Sequence, residues 1–250
     1  MKLENVIVER PYKKVYRCDE GIAKVFEPSH PKEDVFNEAL NQARVEATGL
    51  NIPKVKSVNE IDGKWALVID YKEGKTLEEL MQENPDKMDE YMEQFVDLQL
   101  EIHSKTAPLL GKLKDKLNRQ INSLKDVVDA TTRYELLTRL DSMPKHHKVC
   151  HGDFNPSNVI VGEDGSLYVV DWAHATQGNA SADAAMTYLL FALKDQKLAD
   201  KYMDLFCRKS DTAKQYVQQW LPIVAAAQLT KKHTMLSLIH ISEPTRPEPI

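Results

Sequence analysis

Apolar and polar residues alternate in short runs over 6–8, 12–17 and 22–26, and Cys18-Asp19-Glu20-Gly21 separates the last two. This pattern predicts three short antiparallel strands, with Ile22, Lys24 and Phe26 on one side of the third. Over 31–48 the period lengthens: Val35, Phe36, Ala39, Leu40, Ala43 and Ala47 recur at helical spacing, and Gly49 stands where a helix C-terminus favours positive φ. Two more strands are predicted at 54–60 and 64–71 around Asp62-Gly63, a pair suited to hairpin turns. The sum is a five-stranded antiparallel sheet with one helix inserted after the third strand.

Beyond Glu73-Gly74 helical periodicity dominates. Thr76-Leu77-Glu78-Glu79 has capping-box spacing, and Met88, Tyr91, Met92, Phe95, Leu98 and Ile102 trace one face of a long helix. The segment 112–139 reads as helical with no Gly or Pro to break it, and Pro144 closes it. Residues 148–150 read as a strand, 158–161 and 167–170 as a hairpin around Asp164-Gly165, and 180–193, 197–207 and 212–231 as helices. The expected class is α+β, with a small lobe at 1–73 and a larger, mainly helical lobe at 74–235. No internal repeat is present.

Composition narrows the function. Of the 250 residues, 42% are apolar and 28% charged, as in a globular protein with a sizeable core. The net charge of −5 comes without a basic block, so no nucleic-acid partner is expected. Cys18, Cys150 and Cys207 lie far apart, are odd in number and form no C-x-x-C pair, which points to reduced thiols and a cytoplasmic location. No leader follows the N-terminal lysine, and no stretch nears the ~18 uninterrupted apolar residues of a membrane span, so neither export nor a membrane partner is expected.

The chemistry concentrates in His151-Gly152-Asp153-Phe154-Asn155-Pro156-Ser157-Asn158 and, shortly after, Tyr168-Val169-Val170-Asp171-Trp172. Phosphoryl transfer needs a carboxylate beside the attacking hydroxyl and oxygen ligands for magnesium on the nucleotide phosphates. Asp153 and Asn158 stand at the offset of the Asp and Asn in a kinase catalytic loop, and Asp171 ends an apolar strand as the magnesium-binding Asp of D-F-G does. Asp153 is therefore the candidate base, and Asn158 and Asp171 are the candidate magnesium ligands. His146, His147 and His151 do not converge at helical spacing, because 148–150 reads as a strand; His151 is read as bracing the loop.

These residues resemble the H-G-D-x-x-x-x-N loop of the aminoglycoside phosphotransferase and choline-kinase-like enzymes, and the resemblance runs over roughly 6–228. It implies a two-lobed, protein-kinase-like fold with ATP in the cleft. By position, Lys24 resembles the strand-three lysine on the phosphates, and Glu38 the helix glutamate that pairs with it. Ile69, Asp70 and Tyr71 resemble the hinge that meets the adenine, and Asp183 the aspartate that braces the catalytic loop. Glu38 lies off the Val35-Ala39-Ala43 stripe, which suits a cleft-facing and a solvent-facing residue equally. One departure stands out: residues 9–16 read ERPYKKVY, with no glycine where kinases fold a glycine-rich loop over the phosphates. GTP in place of ATP stays open on that account.

Residues 172–179 pass from Asp171 almost directly to a helix, which leaves no platform for a polypeptide substrate. The expected partner is a small hydroxyl-bearing molecule: aminoglycoside-like, choline-like or another alcohol. Two other classes stand beside this one: a catalytically inactive, nucleotide-binding pseudokinase, and a metal-dependent hydrolase built on the histidines. Retention of Lys24, Asp153, Asn158 and Asp171 favours the kinase.

Residues 236–246 read LSLIHISEPTR and resemble the in-frame translation of a transposase adapter used in DNA sequencing libraries. With Pro244, Pro247 and Pro249 crowding the last residues, 236–250 is expected to be a non-native tail on a natively longer protein, with part of the helical lobe's surface left uncovered.

Overall fold

The alternation over the first residues folds as β1 (Leu3–Arg10), β2 (Lys13–Cys18) and β3 (Gly21–Phe26) in the computed structural model, which describes residues 3–230. The adapter-like tail expected at 236–250 lies outside the described residues. After α1 (Lys32–Glu46) come β4 (Val55–Ile61) and β5 (Lys64–Ile69), which complete an antiparallel sheet in the order β1-β2-β3-β5-β4. Asp62 and Gly63 adopt φ of 49° and 74°, so the expected pair does close the β4–β5 hairpin.

The strand period of two sorts the sheet's side chains onto two faces. Ala23, Val25, Ala66 and Val68 form one cluster with Cys18. Phe26, Leu67 and Ile69 form the other with Val35 and Ala39 of α1, and Ile22 packs against it. Lys24 shares the face of Ile22 and Phe26, opposite Leu67, so the expected sidedness of β3 holds.

The buried face of α1 is rotated from the expected stripe. Phe36, Leu40, Ala43 and Ala47 are exposed, while Glu38, Asn41 and Gln42 are buried beside Val35, Ala39 and Val45. The reason is that each of these three polar side chains makes at least one hydrogen bond inside. Glu38 meets Lys24, the Asn41 amide donates to the Ala173 carbonyl at 3.2 Å, and the Gln42 amide donates to the Pro53 carbonyl at 2.6 Å.

The described residues gather into two compact units, one of 3–110 with 156–175, the other of 111–155 with 176–230. The first unit continues through β6 (Lys75–Thr76), α2 (Leu77–Glu83) and α3 (Met88–Ser104). The capping box forms as its spacing predicts: the Thr76 hydroxyl accepts from the Glu79 N–H, and the Glu79 carboxylate accepts from the Thr76 N–H. Met92, Phe95 and Ile102 of α3 are fully buried, as their spacing requires.

The second unit opens with α4 (Leu113–Ser123) and α5 (Ala130–Ser142), followed by β7 (Lys148–Cys150), which ends on the buried Cys150. The single helix expected over 112–139 is therefore two. A side chain makes the break, not Gly or Pro: the Asp129 carboxylate accepts from the Thr132 N–H at 2.9 Å and starts a new helix.

Back in the first unit, β8 (Val159–Val161) and β9 (Leu167–Val169) form a hairpin that β6 extends. Gly74 leads into β6 at φ 149°, where a Cβ would lie 2.1 Å from the Val161 carbonyl oxygen, so only glycine fits that approach. The second unit resumes with β10 (Thr176–Gly178), antiparallel to β7, a short strand unmarked in the sequence pattern. Then follow α6 (Ala180–Ala192), α7 (Gln196–Ser210), α8 (Lys214–Gln218) and α9 (Leu221–Gln228). The helix expected over 212–231 divides because Pro222, lacking an N–H, sits in the first turn of α9. Among the described residues no helix is long and apolar enough to cross a membrane.

Candidate active site

The β8–β9 hairpin sets Asn158 beside Asp171. Val159 pairs with Val169, and one step back the Val170 N–H donates to the Asn158 carbonyl at 2.9 Å. Asp171 then turns left-handed, at φ 66° and ψ 61°. That conformation costs roughly 1–2 kcal/mol for most L-residues and less for Asp, whose short polar side chain tolerates it. A single 3₁₀ turn, Trp172–His174, follows. It is pinned by the buried Trp172 indole, which donates to the Val169 carbonyl at 3.0 Å, and by Asn41 of α1 on Ala173.

The Asp171 carboxylate meets two lysines. Lys24 Nζ lies 3.3 Å from its Oδ1, and Lys13 Nζ lies 3.4 Å from its Oδ2. Lys24 also donates to the Glu38 carboxylate, so α1, through Glu38 and Asn41, fixes both sides of this cluster. Lys13, Lys24 and Glu38 are nearly buried, and Asp171 is one-third exposed. Burial alone would lower the Lys24 pKa. The negative charges of Asp171 and Glu38, with the hydrogen bonds to both, outweigh it and hold the ammonium above the ordinary lysine value. Lys24 therefore stays charged throughout the neutral range.

Lys13, Lys24, Asn158 and Asp171 line one cavity of about 350 Å³ within the first unit. Its apolar wall includes Val15, Ile22, Ile69 and Ile160, and its size falls among small-molecule sites. Ile69, Asp70 and Tyr71 border the same cavity. The Asp70 carboxylate is engaged with β4 and the residue before it: it accepts from the Lys54 N–H at 3.2 Å and pairs with Lys56 at 2.9 Å. Burial would raise its pKa, but these two partners lower it below the usual carboxylate value.

The loop carrying Asp153 belongs to the second unit and is held through its backbone. Gly152 adopts φ 78°, a left-handed conformation that suits glycine. The Asp183 carboxylate, in the first turn of α6, accepts from the His151 N–H at 3.1 Å and the Gly152 N–H at 2.7 Å. Either N–H left unsatisfied in that buried setting would cost about 1–3 kcal/mol. One turn further along α6, Thr187 donates to the Phe154 carbonyl at 2.9 Å. The fully buried His151 accepts the Asp153 N–H at Nδ1, at 3.3 Å, which assigns its proton to Nε2, and its ring packs edge-on against Phe154.

Lys13, Asn41 and Thr187 join this machinery without a signal in the sequence. Lys13 is one of a lysine doublet at a strand start, and Asn41 and Thr187 are ordinary polar residues of helices. Among the described residues no group of three or more His, Cys, Asp or Glu side chains is arranged to hold a metal ion.

Residues 13–218 match the family model of the phosphotransferase enzyme family. No curated protein matches the chain. Among solved structures, a thermostable mutant of aminoglycoside phosphotransferase APH(4)-Ia in ternary complex with AMP-PNP and hygromycin B is 15% identical, with a TM-score of 0.70 over 96% of this chain and 90% of that one. Aminoglycoside-3'-phosphotransferase of type VIII is also 15% identical, with a TM-score of 0.67 over 90% and 93% of the two chains. APH(3'')-Id from Streptomyces rimosus, in complex with ADP and streptomycin, is 16% identical, with a TM-score of 0.61 over 86% and 90%. Identities this low speak for the fold, which is the two-lobed, protein-kinase-like α+β class expected from the sequence. Since the family match runs from the start of β2 to the end of α8 and takes in the whole 151–158 motif and Asp171, the chain belongs to the phosphotransferase enzyme family.

Proposed function

We propose that the protein transfers the γ-phosphoryl group of ATP, or of GTP, to a hydroxyl of a small molecule, with Asp153 as base. The observation that carries this reading is the gathering of Lys24, Asn158 and Asp171 around one cavity, with Lys24 paired to Glu38 behind it. The donors suit magnesium: an amide and a carboxylate are hard oxygen ligands, and the Asp171 carboxylate already draws two ammonium groups. Held by Asn158 and Asp171, the ion would neutralise charge developing on the nucleotide phosphates.

In this reading the apolar wall takes the purine, the 69–71 hinge meets its edge, and Lys24, kept charged and aimed by Glu38, holds phosphate oxygens. Asp153 accepts the proton of the acceptor hydroxyl as its oxygen bonds to the γ-phosphorus; the bond to the β,γ-bridging oxygen breaks, and the nucleoside diphosphate leaves. Asp183, His151 and Thr187 fix the loop backbone so that the carboxylate need not reorganise. Residues 1–73 would form the nucleotide lobe and 74–235 the catalytic lobe. We assign the reaction to the cytoplasm, where nucleoside triphosphates are supplied and Cys18, Cys150 and Cys207 remain free thiols.

The test is a panel of aminoglycosides, choline and related alcohols, assayed for acceptor-stimulated ADP or GDP release with magnesium. Release that rises with one acceptor and yields its phosphate ester supports the reading. Tight magnesium–nucleotide binding without release across the panel would favour the inactive, nucleotide-binding alternative.

A further inference from the structure

A kinase glycine-rich loop grips phosphates with backbone N–H groups. The β1–β2 connection here has no room for such a grip. Arg10 pairs directly with Lys13 across it, leaving only Pro11 and Tyr12 at the turn, and Pro11 has no N–H. The Tyr12 carbonyl is tied down by the Glu27 N–H at 2.9 Å. Immediately after the turn stands Lys13, a residue type that at such a position ordinarily projects into water. Instead it is 7% exposed, lines the cavity, and reaches Asp171 at 3.4 Å. The rings of Tyr12 and Phe26 lie 5.7 and 5.9 Å from its ammonium and add to its restraint.

Withdrawing an ammonium from water is expensive unless a counter-charge meets it. In the cluster Lys13 and Lys24 balance Asp171 and Glu38. That balance shifts if Asp171 turns its carboxylate to a divalent cation: Lys24 keeps Glu38, whereas the ion pair of Lys13 is with Asp171 alone among the ion pairs of the described residues. Lys13 must then find another anion within reach of its flexible stem. A nucleotide in this cavity brings one, in its phosphate oxygens.

We infer that Lys13 is a phosphate-binding residue, a side-chain cation that replaces the missing glycine-loop amides and exchanges Asp171 for a nucleotide phosphate on binding. This rests on the reading of the cavity as a nucleotide site. A point charge in place of oriented amides makes recognition depend on the charge of the phosphate chain and leaves the nucleoside end to the apolar wall.

The experiment is calorimetric titration of the full chain with Mg-ATP and with adenosine, comparing wild type with Lys13→Met, Lys13→Gln and Lys13→Arg. Lys13→Met should weaken Mg-ATP by about 10- to 100-fold, as for loss of a charge-assisted hydrogen bond, and leave adenosine unchanged. Lys13→Gln, which keeps a polar head in the buried position, carries the same expectation should the methionine variant not fold, and Lys13→Arg should retain most of the affinity. Wild-type Mg-ATP affinity in a folded Met or Gln variant overturns the assignment, as does an equal loss for Mg-ATP and adenosine, which would make Lys13 a structural support. Wild-type protein that binds neither ligand overturns the cavity reading, and the lysine assignment falls with it. Normal Mg-ATP binding with an unaffected lysine variant overturns the lysine assignment alone.

Discussion

Asp153→Asn is expected to lower turnover by about two to four orders of magnitude while leaving nucleotide binding in place, the usual loss when a general base is removed. The substitution is nearly isosteric, and the contacts described for this loop run through its backbone. Asp183 receives the N–H groups of His151 and Gly152, Thr187 donates to the Phe154 carbonyl, and His151 receives the N–H of residue 153 itself. An asparagine inherits all of these. On the proposed mechanism, what it loses is the capacity to take the acceptor's proton, so the deficit should appear in kcat under saturating nucleotide. Single-turnover rates with the best acceptor, alongside a nucleotide titration of the same sample, make the measurement; wild-type turnover would strip Asp153 of its role.

Asp171→Ala is expected to abolish magnesium-dependent nucleotide binding. Magnesium keeps several of its waters and depends on few protein carboxylates, so losing one is not made good by its neighbours. Two secondary effects accompany it. Lys13 and Lys24 lose the anion between them, and alanine must adopt the φ of 66° that aspartate tolerates, at roughly 1–2 kcal/mol. Asp171→Asn separates these, because asparagine accepts the left-handed conformation and keeps one oxygen while removing the charge. Both variants should lose Mg-ATP affinity in titration calorimetry, the alanine variant with a lower melting temperature as well. Unchanged affinity in either would show that Asp171 is not a metal ligand.

The sheet was largely legible because a period of two with Asp-Gly and Glu-Gly punctuation has few other realisations, and the 151–158 motif because its Asp–Asn offset matches that of a kinase catalytic loop. The face of α1 was not. Reading polarity as exposure assigns Asn41 and Gln42 to solvent and leaves Glu38 open between solvent and cleft, yet all three are inside, where Lys24, the Ala173 carbonyl and the Pro53 carbonyl meet them. The Asn41 pairing spans 132 residues and leaves no local trace. The same holds for Lys13, whose meaning depends on Asp171. The break before α5 illustrates a different shortfall: Asp129 was a legible cap in a stretch judged only by its lack of Gly and Pro. Pro222 shows the converse, a residue visible in the sequence whose power to start a helix was passed over.

The cysteines divide in a useful way. Cys18 is buried within the sheet cluster of the first unit and Cys150 is fully buried in the second, where burial, reinforced by the charge of Asp183, pushes its thiol well above the ordinary pKa. Alkylation requires a thiolate that can reach the reagent, so neither buried sulfur should react at a free-thiol rate until its surroundings open. Each unit thereby contains its own clock. Differential mass labelling of Cys18 and Cys150 would time the opening of the two units separately, within one unmodified chain, and would register whether a nucleotide that stiffens the first leaves the second as it was.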